Sequence, residues 1–198
     1  FFCEGGGGRP GDSDAMGVAG LDTPSFLAYA RLSGLVPRVG ITSGRCFAGN
    51  AALLGCSDVI IATRNSTIGM GGPAMIEGGG LGVFDPDEVG PVSVMAPNGV
   101  IDVLVEDEAE AVAAAKRYLS YFQGPVADWS CEDQRLLRHL IPENRLRIYD
   151  IRAVIDALAD KGSVLELRRE FAPGMVTALV RIEGRPMGLI ANNPSYLA

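Results

Sequence analysis

The tightest constraint on this chain lies between residues 38 and 63. An apolar run, RVGITS (38–43), is followed by small residues in CFAGN (46–50), then by Leu53, Leu54 and Gly55, then by a second apolar run, DVIIAT (58–63). Short runs rich in β-branched and aliphatic residues, bounded by turn residues, read as buried strands. The segment 49–55 between them has room for a short helix only. Across residues 46–61 only Asp58 carries a charge. Strand, short helix and strand with very short loops argue for α/β layering.

The rest of the chain fits that frame. Of the 26 glycines, 21 precede residue 101, and seven of those fall in IGMGGPAMIEGGGLG (68–82). The first half is therefore built of tight loops. Residues 1–3 read as the end of a strand and EGGGGRPGD (4–12) as a loop. Thr23 as N-cap, Pro24 as first helical residue and Gly34 as stop predict a helix over 24–33. A strand is expected at 101–107, with Asp107 capping a helix over 108–122 whose buried face is Val112, Ala115, Leu119 and Phe122. Residues 124–134 read as linker. Ile148, Ile151, Ile155 and Leu158 mark a second amphipathic helix, and residues 175–192 read as two buried strands around a tight turn. The abrupt opening at FFCE and the ending at NNPSYLA lead to the expectation of a piece of a longer polypeptide.

Composition removes several function classes. The 198 residues are 47% hydrophobic and 21% charged, which is globular usage. No apolar run approaches the roughly 20 residues of a membrane span. The net charge of −7 argues against nucleic-acid binding. Cys3, Cys46, Cys56 and Cys131 form no C-x-x-C pair, so they read as free thiols in a reducing cytoplasm, and no metal site is expected. GMGGPA (69–74) is a poor dinucleotide turn, with Pro73 inside it, and no phosphate-loop lysine motif exists. The one histidine, His139, reads as a half-exposed helix residue. Ser43 in GITSG does not match a nucleophile elbow, so hydrolase chemistry lacks its parts.

Backbone remains as the available chemistry. A helix that begins among small residues presents N–H groups without intrahelical partners. Ala48 and Gly49 leave room for a carbonyl oxygen to approach them. Two such donors would make an oxyanion hole for a thioester enolate. Close packing of helix on strand through small residues explains the same pattern, and both readings stand at this point.

Several phrases together resemble one family. SGRCFAGNAALLGCSDVIIA, STIGMGGPAMIEGGG, DEAEAVAAAKRYLSYF and FAPGMVTALVRIEGRPMGLIANNP occur in the order seen in the carboxyltransferase (β) subunits of biotin-dependent acyl-CoA carboxylases, the acetyl- and propionyl-CoA type among them. The resemblance covers nearly the whole chain and is most specific in its last phrase. It implies an α/β, crotonase-like fold of repeated ββα units. It divides the chain into most of an N-terminal, acyl-CoA-binding half (1–123), a linker (124–147) and the opening of a C-terminal, biotin-side half (148–198).

The resemblance also implies roles. Ala48 and Gly49 match the oxyanion-hole pair, Gly7, Gly8 and Arg9 the acyl-CoA loop, and Gly71, Gly72 and Pro73 border the acyl or biotin channel. The loop EGGGGRPGD departs from the usual serine-containing form and is similar to that of larger fused carboxylases. The implied reaction moves CO2 from carboxybiotin, held on a carrier domain, to the α-carbon of an acyl-CoA, with biotin taking the α-proton. The implied partners are a biotin carboxyl carrier, a biotin carboxylase and further copies of the chain, with the active site at a subunit interface. Rival readings are another crotonase-fold acyl-CoA enzyme (a hydratase, isomerase or decarboxylase), for which Glu77 is the candidate acid, and a non-catalytic assembly subunit.

Overall fold

The computed structural model describes residues 1–7, 24–144 and 146–196. These form two compact units, Phe1–Ala115 and Lys116–Ala198. The division between these units falls after Ala115.

The first unit repeats one pattern. After α1 (Pro24–Ala30) come β1 (Val39–Thr42), β2 (Arg45–Phe47) and α2 (Gly49–Gly55), then β3 (Val59–Thr63), β4 (Thr67–Gly69) and α3 (Pro73–Gly78). Each ββα repeat gives its first strand to one sheet and its second strand to another. β1 pairs in parallel with β3, Val39 opposite Val59, and β2 pairs in parallel with β4, Cys46 opposite Ile68. Residues 1–5 extend both sheets, with Phe2 bridged to Ile41 and Gly5 to Cys46. α4 (Val92–Met95) leads to β5 (Val103–Val105), which joins the first sheet beside β3. This is the crotonase-like ββα repetition expected from the resemblance.

β1 and β3 are buried along their whole length, which explains their unbroken apolar sequence. Their neighbours in the core include Cys3, Cys46, Leu54, Ile68 and Ile101. Gly40 lets α2 close on β1, since a Cβ there would lie 2.7 Å from Leu54 Cδ1 and 2.6 Å from Ser57 Oγ. Arg38 is buried and its guanidinium pairs with Asp58 at 2.8 Å, tying the start of β1 to the start of β3.

α5 (Glu108–Ser120) follows β5. Asp107 accepts a hydrogen bond from the Glu110 N–H at 2.9 Å, as its expected capping role requires. The buried stripe differs from the expected one by about a residue: Ala111, Ala115, Tyr118 and Tyr121 are buried, while Phe122 is exposed. Tyrosine rings bring large apolar area, and the Tyr121 hydroxyl donates to the Ser163 carbonyl, so that face can be buried without an orphaned polar atom.

The second unit is antiparallel. α6 (Leu137–Leu140) and α7 (Ile151–Leu158) precede β6 (Leu165–Leu167), β7 (Met175–Ile182) and β8 (Arg185–Asn192), which form one sheet in that order. α7 begins only where the Asp150 side chain caps it, so Ile148 lies outside the helix and is exposed. Its Ile155, with Ala159, packs on Val176, Ala178 and Val180 of β7. Glu183 and Gly184, both at positive φ, make the hairpin turn. Their N–H groups donate to the Asp160 carboxylate at 3.0 and 2.7 Å. The expectation that both strands are buried fails for β8. β7 alternates between faces, whereas β8 has no buried residue and Ile190 is 77% exposed. Apolar residues stand on both faces of β8, but among the described residues only one face meets helix.

Candidate functional site

The repeat that builds the first unit also brings its glycine-rich turns together. Parallel β2 and β4 end side by side, so Phe47–Gly49 and Gly69–Gly72 emerge at the same edge. The loop after the first strand joins them. A Cβ on Gly72 would lie 3.0 Å from the Gly6 carbonyl oxygen and 3.3 Å from Phe47 Cδ2, and one on Gly7 would lie 3.3 Å from Ala48 Cβ. Gly7 also holds φ +77, which a side chain rarely adopts. On the other flank, the Phe26 ring of α1 comes within 3.0 Å of the Cβ position of Gly49. Close packing therefore accounts for part of the small-residue pattern.

The donors at the head of α2 are not the pair that was expected. The Ala48 N–H donates to the Gly69 carbonyl at 3.0 Å, the bond that continues the β2–β4 pairing. It is committed to the fold and is not a free donor. Ala48 pays for this position with φ 55 and ψ −121, a backbone conformation costly for a residue with a Cβ. The next N–H, that of Gly49, is the first of the helix and has no intrahelical acceptor. Among the described residues it forms no hydrogen bond. The N–H groups of Gly71 and Gly72 are likewise without an acceptor among the described residues. Gly72 is the N-cap of α3 and Pro73 its first residue, which needs no N–H partner.

The other expected residues fall as follows. Gly7 lies against the head of α2; Gly8 and Arg9 lie outside the described residues, as does the expected N-cap Thr23. Gly71 borders open space, with Met75 Cβ at 3.9 Å from its Cβ position. Glu77 is exposed in the last turn of α3, and His139 is exposed on α6 in the second unit. Two contacts had no sequence signal: the Phe26 ring against Gly49, and the Asn50 amide over Gly5, whose Cβ position it would overlap at 2.1 Å.

No residue of 5–7, 47–50 or 69–73 titrates. Behind them, burial pushes the Cys46 thiol up to about 11 and the Cys3 thiol up to about 12, so neither is a thiolate at neutral pH. Among the described residues no cluster of His, Cys, Asp and Glu could hold a metal ion, and no helix is long and apolar enough to cross a membrane. Among the described residues the site is thus an arrangement of backbone dipoles beside Phe26 and Phe47, and such dipoles can stabilise negative charge on an oxygen.

The second unit holds an open cavity of about 580 Å³ lined by Arg117, Tyr121, Trp129, Asp160, Lys161 and Arg181. Its buried charges are already occupied by the fold. Arg181 donates to the carbonyls of Gly124, Gly184 and Ser120, and Asp160 accepts the hairpin N–H groups.

Residues 6–198 match the family model described as the carboxyl transferase domain. The chain is 32% identical to the methylmalonyl-CoA carboxyltransferase 12S subunit of Propionibacterium freudenreichii subsp. shermanii, across all of this chain and 39% of that one. It is 30% identical to the biotin-dependent acetyl-/propionyl-coenzyme A carboxylase beta6 subunit of Mycobacterium tuberculosis, across 87% of this chain and 37% of that one. Among solved structures, a single-chain, multi-domain long-chain acyl-CoA carboxylase matches with TM-score 0.93 and 59% identity, over 99% of this chain and 19% of that one. The transcarboxylase 12S hexamer with methylmalonyl-CoA bound matches with TM-score 0.73 and 31% identity, over 86% of this chain and 35% of that one. The chain thus spans well under half the length of each of these relatives. Matched by this model over residues 6–198 and 32% identical to the 12S subunit, the chain belongs to the carboxyl transferase domain family, that of the biotin-dependent acyl-CoA carboxyltransferases.

Proposed function

We propose that this chain supplies the acyl-CoA side of a biotin-dependent carboxyltransferase and that its substrate is a long-chain acyl-CoA. The observation that carries the reading is the Gly49 N–H, which has no acceptor among the described residues, at a site whose described residues carry no titratable side chain. The long-chain assignment is supported by the 59% identity to a long-chain acyl-CoA carboxylase.

The thioester oxygen accepts from the Gly49 N–H. That donor gains strength as negative charge develops on the oxygen, and losing one such donor costs about 2.7–4 kcal/mol in the transition state. Ala48 acts by position: its bond to the Gly69 carbonyl fixes the head of α2 so that the Gly49 N–H is held without reorganisation. Phe26 and Phe47 keep water from the enolate. Gly7, Gly8 and Arg9 hold the CoA, with Arg9 suited to a phosphate group. Gly71, Gly72 and Pro73 border the channel, and the Gly71 and Gly72 N–H groups, without acceptors among the described residues, are its available donors. Carboxybiotin on a carrier supplies the CO2 equivalent and the base. Hydratase chemistry would need a carboxylate beside the thioester, but Glu77 lies exposed at the far end of α3 from Gly72.

The partners in this reading are a biotin carboxyl carrier, a biotin carboxylase and further copies of the chain, and the four free thiols suit the cytoplasm. The hexamer of the 12S relative supports assembly. The test is the holoenzyme assayed with palmitoyl-CoA, bicarbonate and MgATP, with and without avidin. Avidin-sensitive carboxylation of the acyl chain is expected. Turnover unaffected by avidin, or enoyl-CoA hydration in its place, would overturn the reading.

A further inference from the structure

The turns around α3 carry an apolar surface that the described residues of the first unit leave exposed. Met70, Met75, Leu81, Val83 and Phe84 are all exposed, Leu81 at 75% and Val83 at 79%. Five large apolar side chains within one short stretch exceed the scattered exposure that is normal for a monomer surface. Glu77 is the only charged residue from 68 to 84.

These side chains are continuous with the glycine turn. The missing side chain of Gly71 faces Met75 Cβ at 3.9 Å. One turn on, the Gly79 N–H donates to the Met75 carbonyl, and Leu81 Cγ lies 4.0 Å from the Gly79 Cβ position. The Leu81 N–H donates to the Ile76 carbonyl, which turns the chain back along α3. The Phe84 ring then covers Gly82, 3.2 Å from its Cβ position. Gly71, Gly79 and Gly82 thus alternate with Met75, Leu81 and Phe84 along a track that starts at the proposed channel. α3 alone spans roughly 9 Å at 1.5 Å per residue, the length of several methylenes.

We propose that this surface is the subsite for the alkyl tail of the long-chain acyl-CoA. The proposal rests on the carboxyltransferase reading above and adds where the tail lies and which residues set chain-length preference. An unbranched tail matches an apolar track, with Glu77 as its single charge, whose flexible methionines adapt to a mobile ligand. The track begins at Gly71, beside Gly72, whose Cβ position lies 3.3 Å from Phe47 Cδ2 in the turn that leads to Gly49; a covalently attached tail requires such continuity.

The experiment is carboxylation by the holoenzyme with acetyl-CoA and palmitoyl-CoA, comparing wild type with Leu81→Asp and Val83→Asp. The expected result is a fall of at least about tenfold in the ratio of kcat/KM for palmitoyl-CoA to that for acetyl-CoA, the scale on which apolar pockets discriminate. Leu81→Ala and Val83→Ala should lower the same ratio by a smaller factor, which keeps the test decisive if the aspartates impair folding. An unchanged ratio overturns the subsite. An equal loss on both substrates, together with a change of mass in solution, overturns it in favour of contact with a second copy. A wild-type holoenzyme inactive on every acyl-CoA overturns the carboxyltransferase reading itself, and the subsite with it.

Discussion

The two compact units solve the same problem by opposite means. In the first, chain segments approach through missing side chains: Gly72 meets the Gly6 carbonyl, and Gly7 lies on the Cβ atoms of Phe47 and Ala48. In the second, side chains bind backbone: Arg181 gathers three carbonyls and Asp160 two hairpin N–H groups. Glycine packing leaves N–H groups at an edge, where a ligand can use them. Charged side chains satisfy the backbone they touch and leave little to offer. A site built of amides therefore fits the first unit and a rigid support fits the second.

The comparison breaks most sharply at Arg181. Arg181→Ala leaves the carbonyls of Gly124, Gly184 and Ser120 without their donor, and about 3 kcal/mol of stability should go with it. Urea unfolding measures the loss, and amide exchange should locate it in β7 and β8. A loss spread evenly over both units would show that they do not differ in this way.

Gly49→Val is next. Carboxyl transfer by the holoenzyme should fall by at least about 100-fold, the usual scale for one lost oxyanion donor. Its Cβ meets the Phe26 ring at 3.0 Å, so part of the effect is packing. Adding Phe26→Leu should restore thermal stability and leave the rate low. Recovery of the rate as well would assign Gly49 to packing alone.

A smaller effect concerns the ion pair of the first unit. Hydrogen bonding to Arg38 holds the Asp58 carboxyl below its ordinary range. A group with a depressed folded pKa stabilises fully above its unfolded pKa and loses that contribution as pH falls through the folded value. Asp58→Asn should therefore flatten the acid limb of the stability–pH curve below about pH 4, the range of an unperturbed carboxylate. An unchanged limb would show that this pair adds nothing.

The smallest change is at Ile190. Ile190→Thr should alter stability by no more than about 0.5 kcal/mol, as expected of an exposed position. The purified 198-residue chain, assayed alone, should self-associate through β8 and lack transfer activity. Ile190→Thr should lower the associated fraction in sedimentation velocity. A monomeric wild-type chain with full transfer would overturn that expectation.

The first unit was the more legible in sequence, for a physical reason. A parallel strand covered on both faces must be apolar throughout, and α2 between Ala48 and Cys56 has the length its bounding residues allow. Burial in the second unit depends on which face finds a cover, and β8 is apolar on faces that stay open. The stripe of α5 was misplaced because alanines occupy several faces and only the two tyrosines reveal which is buried. At the site, the small residues were readable but the free donor was not. The loss of the Ala48 N–H to Gly69 depends on the pairing of β2 with β4, a long-range register that no local pattern displays.

That same pairing has a consequence for pH. In the proposed reading, every group the described site offers an oxyanion is a peptide amide, and amides neither gain nor lose protons across the range where enzymes work. The affinity of these loops for an enolate mimic should then be level from mildly acid to mildly alkaline solution. Whatever bell shape the holoenzyme's rate displays would be written by its other ionisations, with the glycine turns acting as a fixed field beneath them.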